Sequence, residues 1–198
     1  METEKVDRRV RKTRRQLREG LARLLEEKSI RDIKVKELVE EVDINRSTFY
    51  LHYSDIYDML KQLEEELFQE IQEAIKKHPI SADARSQAFI RQLFQIMDDN
   101  RAICKALCGP NGDMAFVSRM EDVVGSEAVQ VIEPLFKIEK KQLRYSYAYC
   151  LNGCVGLIKM WLLNDGKETP EQMADIMYHM VSNSLNGYLD TGTSVTRP

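Results

Sequence analysis

The sequence predicts an all-α fold: a small N-terminal head of three helices and a larger helical body. Three observations predict it. Apolar residues recur at i, i+3, i+4 and i+7 through most of the chain, and no useful length alternates as a strand does. Four of the five prolines (Pro79, Pro110, Pro170 and Pro198) fall where that periodicity breaks. Of the 198 residues, 43% are apolar and 31% charged, enough for a core and too apolar for a wholly disordered chain.

Each element follows from its own pattern. Val10, Leu17, Leu21 and Leu24 form one stripe, with Arg11, Arg15 and Arg18 away from it, which predicts a first helix over 7–27. Val35, Leu38, Val39 and Val42 predict a second helix of about two turns. Asp43, Ile44 and Asn45 interrupt it, and Asn45 is a good N-cap for a third short helix from Arg46 to about Tyr53. Asp55 can cap a long helix whose stripe is Leu60, Leu63, Leu67, Ile71 and Ile75, ending before Pro79. Further helices are expected near 82–99, 101–108, 113–137, 140–164 and 170–189. Gly109, Pro110, Asn111 and Gly112 mark a turn. Thr169, Pro170 and Gln172 approximate a capping box for the last helix. The tail 190–198 has nothing to bury and should fray.

The charge is unevenly spread. Residues 1–18 carry eight basic groups against three acidic ones, a net of +5, so the remainder of this −3 chain sums to −8. A basic head on an acidic body suits contact with a polyanion; a solvated, charge-laced helix face is the competing reading. Residues 145–163 are broken by Ser146, Asn152 and Lys159 and hold two glycines, so no membrane span is expected there. The first residues lack the apolar stretch of a secretory signal, and the four cysteines then suit free thiols in a cytoplasmic setting.

Two short helices joined by a three-residue turn make a helix-turn-helix. Leu38, Val39, Val42, Ile44, Phe49 and Tyr53 would form a small core with the first helix. That leaves Arg46, Ser47, Thr48, Tyr50 and His52 facing outward, as groups able to read base edges in a major groove. The run Ser47-Thr48-Phe49-Tyr50-x-His52-Tyr53, the Asp-capped helix after it and the basic helix before it resemble the tetracycline-repressor (TetR) family of bacterial regulators. The segment from Tyr149 to Leu162, with the Asp165-Gly166 and Thr169-Pro170-Glu171-Gln172 that follow, is similar to the penultimate-helix pattern of one branch of that family. The resemblance implies a helix-turn-helix DNA-binding domain over 1–54, and a helical dimerisation and ligand-binding domain over 55–198. It implies a phosphate contact at Lys36, base reading by Arg46, Ser47 and Thr48, and backbone or base-edge contacts by Tyr50 and His52. The function implied is a homodimeric repressor of a palindromic double-stranded operator, released by a small effector. A TetR-fold coactivator or adapter that does not bind the operator itself is the alternative.

Four features, at six positions, depart from the family pattern. Val42 and Asp43 stand where a small residue and glycine are usual, and Asp tolerates the left-handed backbone. Lys34 replaces a threonine N-cap. Lys28 and Ser29 replace a closing glycine. Ile56 replaces a phosphate-binding lysine, which should lower the salt slope of binding by about one unit per subunit.

In the body, the helix over 145–163 is apolar nearly all round, and Gly153 and Gly156 would let a neighbouring helix come close. The last helix has Met173, Ile176, Met177, Met180, Ser184 and Tyr188 on one stripe. Two such helices from each of two chains would make a four-helix bundle. Phe94, Cys104, Tyr145, Tyr149 and Trp161 are candidates for a pocket taking an apolar or aromatic effector, against ordinary core packing. Cys104 with Cys108, and Cys150 with Cys154, are spaced i, i+4. They read as small buried hydrophobes, redox sensors or metal ligands, and no metal or cofactor is expected. No Gly-rich phosphate loop, nucleophile elbow or metalloenzyme spacing occurs, so an enzyme is not expected.

Overall fold

The computed structural model describes residues 2–80, 86–135, 140–164 and 167–186. Among them the order is α1 (Glu2–Glu27), a 3-10 turn (Ile30–Asp32), α2 (Val35–Glu41), α3 (Arg46–Tyr50), α4 (Ile56–Lys77), α5 (Ser86–Asp99) and α6 (Arg101–Cys108). Then come α7 (Met114–Ile132), a second 3-10 turn (Glu133–Leu135), α8 (Lys140–Leu163) and α9 (Pro170–Asn186). The all-α expectation holds, with no strand among the described residues. Positions 82–85, 136–137 and 187–189 of the expected helices, Tyr188 included, and the tail 190–198 lie outside the described residues.

Three boundaries differ from the sequence reading. α1 begins at Glu2 rather than at 7. α3 closes at Tyr50 because its last turn tightens: the amides of His52 and Tyr53 share the Phe49 carbonyl, at 2.9 and 3.1 Å. α7 closes at Ile132, two residues before Pro134, which cannot donate the next helical hydrogen bond.

The caps follow their chemistry. Asn45 Oδ1 accepts from the Ser47 amide at 3.1 Å, and Asp55 Oδ1 from the Asp58 amide at 2.8 Å. Thr169 and Gln172 form the reciprocal capping box: the Gln172 amide donates to Thr169 Oγ1 at 3.3 Å and the Thr169 amide to Gln172 Oε1 at 2.9 Å. Lys34 makes no side-chain cap at α2. Glu37, in the first turn of α2, is instead held by an ion pair with Lys28, whose hydrogen bond keeps its carboxylate below the usual range.

The chain divides into two compact units: Met1–Leu67 with Asn100–Met114, and Phe68–Asp99 with Ala115–Pro198. In the first unit Leu17, Leu21 and Leu25 of α1 are buried with Leu38, Val42, Phe49, Tyr53, Ile56 and Met59. Gly20 sits where α1 meets α2. A Cβ there would lie 2.3 Å from Val42 Cγ1 and 3.0 Å from Leu38 Cδ1. Gly20→Ala is therefore expected to overpack the crossing by about 1–3 kcal/mol. That outweighs its gain of about 1 kcal/mol in helix propensity. Urea unfolding would read the net loss, and stability above that of the parent would contradict it.

Counted along the chain, 101–108 belongs with the body. In the structure α6 packs on α1 and buries Ile103, Cys104, Ala106 and Leu107. Lys105 Nζ lies 3.7 Å from a Glu26 carboxylate oxygen, and Asn111 Nδ2 donates to the Glu26 carbonyl at 3.4 Å. Gly112 ends the turn after α6, where a Cβ would lie 1.9 Å from the Leu107 carbonyl oxygen.

The second unit is built on α5 against α9. Phe89, Ile90, Leu93, Phe94 and Met97 of α5 meet a face of α9 carrying Met173, Ala174, Met177 and Tyr178. Asp175 fastens the pair at its edge, accepting from Gln87 at 2.8 Å and Arg91 at 3.3 Å. The α9 stripe expected to face one way is thus split: Met173 and Met177 are buried, whereas Ile176 and Met180 are 38% and 58% exposed. Along α8 only Trp161 and Leu162 are buried among the described residues.

Candidate nucleic-acid interface

α2, its turn and α3 form the expected helix-turn-helix. The turn needs one left-handed residue, and Asp43 supplies it at φ 52°. Asp is one of the few residues with a Cβ that visits this region readily, because its short polar side chain can bond locally. The chain then returns through Ile44, whose amide donates to the Val39 carbonyl at 2.9 Å.

α3 is held by one face. Phe49 is fully buried, with ring centroids of Tyr50 and Tyr53 at 5.5 and 5.7 Å. Tyr53 is anchored in turn by Arg14 of α1. Arg14 Nε donates to the phenol oxygen at 3.3 Å, its guanidinium lies 5.9 Å from the ring centroid, and it pairs with Glu66 of α4. The hydrogen bond to Tyr53 and the nearby carboxylate raise the Arg14 pKa above its ordinary value. This side chain ties α1, the end of the helix-turn-helix and the first half of α4 together, and the sequence reading missed it.

The expected DNA-contact residues lie on or beside the other flank. Arg46, Ser47 and Tyr50 are exposed on α3, Thr48 and His52 are half-buried, and Lys36 is exposed on α2. Arg46 Nη2 donates to the Tyr50 hydroxyl at 3.4 Å, and its guanidinium lies 5.8 Å from that ring's centroid. The two side chains thus hold each other in an extended, solvent-facing arrangement. Lys36 lies 3.8 Å from Glu40 on the same helix. Leu51, which the sequence reading left out, is 81% exposed at the C-cap of α3.

The start of α4 is acidic. Ile56, read as a missing cation, is 4% exposed and serves the core. Beside it Asp55 caps the helix, and Asp58 accepts from the Ser54 amide at 2.8 Å and from Gln62 at 3.1 Å. The bond from the Ser54 amide, and then that from Gln62, hold Asp58 below the ordinary carboxylate range. Its support of the cap is full above that range and fades as pH falls through the lowered value.

Of the five effector-pocket candidates, four lie in the second unit and Cys104 in the first. Phe94 and Trp161 meet edge-on at 5.3 Å, and Trp161 Nε1 donates to the Glu168 carbonyl at 3.0 Å. Tyr145 and Tyr149 stand one turn apart on α8, 69% and 73% exposed. Cys104 is buried in the first unit. A shallow cleft of about 440 Å³ lies instead between α5 and the start of α9, lined by Gln87, Arg91, Gln95 and Glu171. Burial pushes the Cys154 thiol up to about 11 and raises Cys150 as well, so both stay protonated at neutral pH. No cluster of three metal-ligating side chains occurs among the described residues.

A family profile described as "Transcriptional regulator C-terminal region", of the TetR class, matches residues 84–183, half of the chain. The chain is similar in structure to the fatty acid degradation regulator FadR from Bacillus halodurans, at a TM-score of 0.63 and 10% identity. That likeness covers 87% of this chain and 95% of the other. It is also similar to a TetR transcriptional regulator from Streptococcus agalactiae, at a TM-score of 0.55 and 20% identity over 90% and 98% of the two chains. The dihydroxyacetone kinase operon activator DhaS gives a TM-score of 0.55 at 11% identity, over the same shares. At these identities the structural likeness is one of fold. No curated protein matches. The family profile over the body, on a chain whose head is a helix-turn-helix, establishes that this protein belongs to the TetR family of transcriptional regulators.

Proposed function

We propose that the chain is a cytoplasmic, homodimeric repressor that binds a palindromic operator through residues 1–54 and is released by a small apolar or aromatic effector acting on the body. The observation that carries the reading is the free flank of α3. Phe49 and Tyr53 bury one side, which leaves Arg46, Ser47 and Tyr50 in solvent as a set suited to base edges and phosphates. Lys36 adds a phosphate contact, and Thr48 and His52 flank the set.

The dimer reading is supported by α8 and α9. Tyr145, Tyr149, Gly153, Gly156, Met160 and Leu163 of α8 are exposed along one face, and no charged side chain is fully exposed between 145 and 163. Nothing lies within 4 Å of a Cβ built at Gly153 or Gly156, so that face is open to a close-approaching helix. Ile176 and Met180 extend the apolar surface onto α9. A second copy related by a two-fold axis would cover it and set two copies of α3 about 34 Å apart. Effector release would follow if the ligand binds better to a conformer with a different spacing, with α4 running unbroken from the head into the body.

The test is fluorescence anisotropy at about 50 mM salt, with a palindrome from upstream of the chain's own gene. Arg46→Ala and Tyr50→Ala are expected to weaken binding about tenfold each, with the dimer mass unchanged in sedimentation. Absence of any salt-sensitive binding would assign the chain to the adapter role instead. Asp43→Asn keeps a residue suited to positive φ and removes a carboxylate from the DNA side. It is expected to raise affinity about twofold at low salt, with stability changed by less than about 0.5 kcal/mol. Unchanged affinity at low salt would place Asp43 away from the phosphates.

A further inference from the structure

We infer that Leu51 is a further specificity-determining residue, and that its partner is the C5-methyl group of a thymine in each operator half-site. The inference rests on the DNA-binding reading of α3 above and adds a base to it. Leu51 continues the α3 backbone, with φ −72° and ψ −17°. At about 100° per residue it falls about 200° from buried Phe49 and within about 40° of Ser47. Ser47 and Leu51 therefore form the ridge of the helix farthest from the core. This agrees with the 81% exposure of Leu51, the highest among the large apolar residues described.

An exposed leucine alone says little, because folded surfaces hold many apolar atoms. Its place on this ridge is what matters. If α3 enters a groove, the Ser47–Leu51 edge enters deepest. A leucine side chain has no donor for a phosphate or for the polar edge of a base. Of the groups lining the major groove, the thymine methyl is the one apolar knob, and it separates T·A from the other pairs. Arg46 and Tyr50, on the adjoining edge and held to each other, would fix the depth at which Leu51 meets it.

The experiment selects bound duplexes from a random-sequence library with the full chain. It then replaces each thymine of the recovered half-site with deoxyuridine, which removes only the methyl. One such replacement is expected to weaken the parent about three- to fivefold, the worth of one methyl buried against an aliphatic side chain. Leu51→Ala should lose a similar factor on the thymine duplex and be indifferent to that same replacement. Leu51→Met, which keeps an apolar reach, should retain the sensitivity. If Leu51→Ala binds the selected duplex like the parent, or if both respond alike to every deoxyuridine, the assignment is overturned while the DNA-binding reading stands. If the parent selects no duplex at all, that reading falls and the assignment with it.

Discussion

Phe49→Ala is expected to cost the head about 3–5 kcal/mol and to abolish DNA binding, although Phe49 has no solvent-facing surface with which to touch DNA. The side chain is fully buried and its ring is flanked by those of Tyr50 and Tyr53. Its removal leaves a cavity under a helix of five residues that has little stability of its own. The loss should lower the melting midpoint of the head by about 10 °C or more. Tyr50→Ala supplies the contrast. That residue is 49% exposed, so the melt should move little while affinity falls. Calorimetry of the two variants separates the roles, and a Phe49→Ala chain melting within about 2 °C of the parent would show that α3 is held by something else.

Met160→Asp combined with Met180→Asp is expected to convert the proposed dimer to a folded monomer. Both side chains are more than half exposed, at 57% and 58%, so each Asp is solvated in the separate chain. In a two-fold assembly every substitution counts twice, and four unpaired carboxylates would be desolvated. A weakening of self-association by about a thousandfold or more follows, visible as monomer mass in sedimentation at micromolar protein with an unchanged helical spectrum. Operator affinity should fall with it, because one head alone keeps half the contacts. Trp161, the next residue along, behaves differently. It is 2% exposed and meets Phe94, so a charge there would unfold the second unit rather than separate two intact chains. A double variant that keeps the parental mass would remove α8 and α9 from the interface.

Much of this arrangement could be read from the sequence because it rests on local chemistry. Asn45, Asp55 and the Thr169–Gln172 pair cap the helices they were expected to cap, since a side-chain oxygen two or three residues from a bare amide has a short, well-defined reach. The core set Leu38, Val39, Val42, Phe49 and Tyr53 followed from helical spacing alone, with Ile44 half-buried beside it. What escaped depends on long-range partners. Periodicity marks the apolar residues of α9 but cannot tell which of them α5 covers, so Ile176 and Met180 look the same as Met173 and Met177. Ile56 reads as a lost cation when compared with a family pattern and as core when its 4% exposure is known. Leu51, by contrast, is legible from geometry alone, because turning the helix by about 100° per residue from Phe49 places it outward.

The first unit is also discontinuous, since α6 and the turn after it complete the packing of α1 from a distant part of the chain. A fragment ending at residue 67 would leave bare the side of α1 that α6 covers, and would be prone to stick to other proteins. Anyone grafting this helix-turn-helix head onto a different body must therefore carry residues 100–114 as well, or supply another helix to cover the bare side. The junction of such a chimera has two seams rather than one, and recombination by a single crossover would yield a poorly folded product.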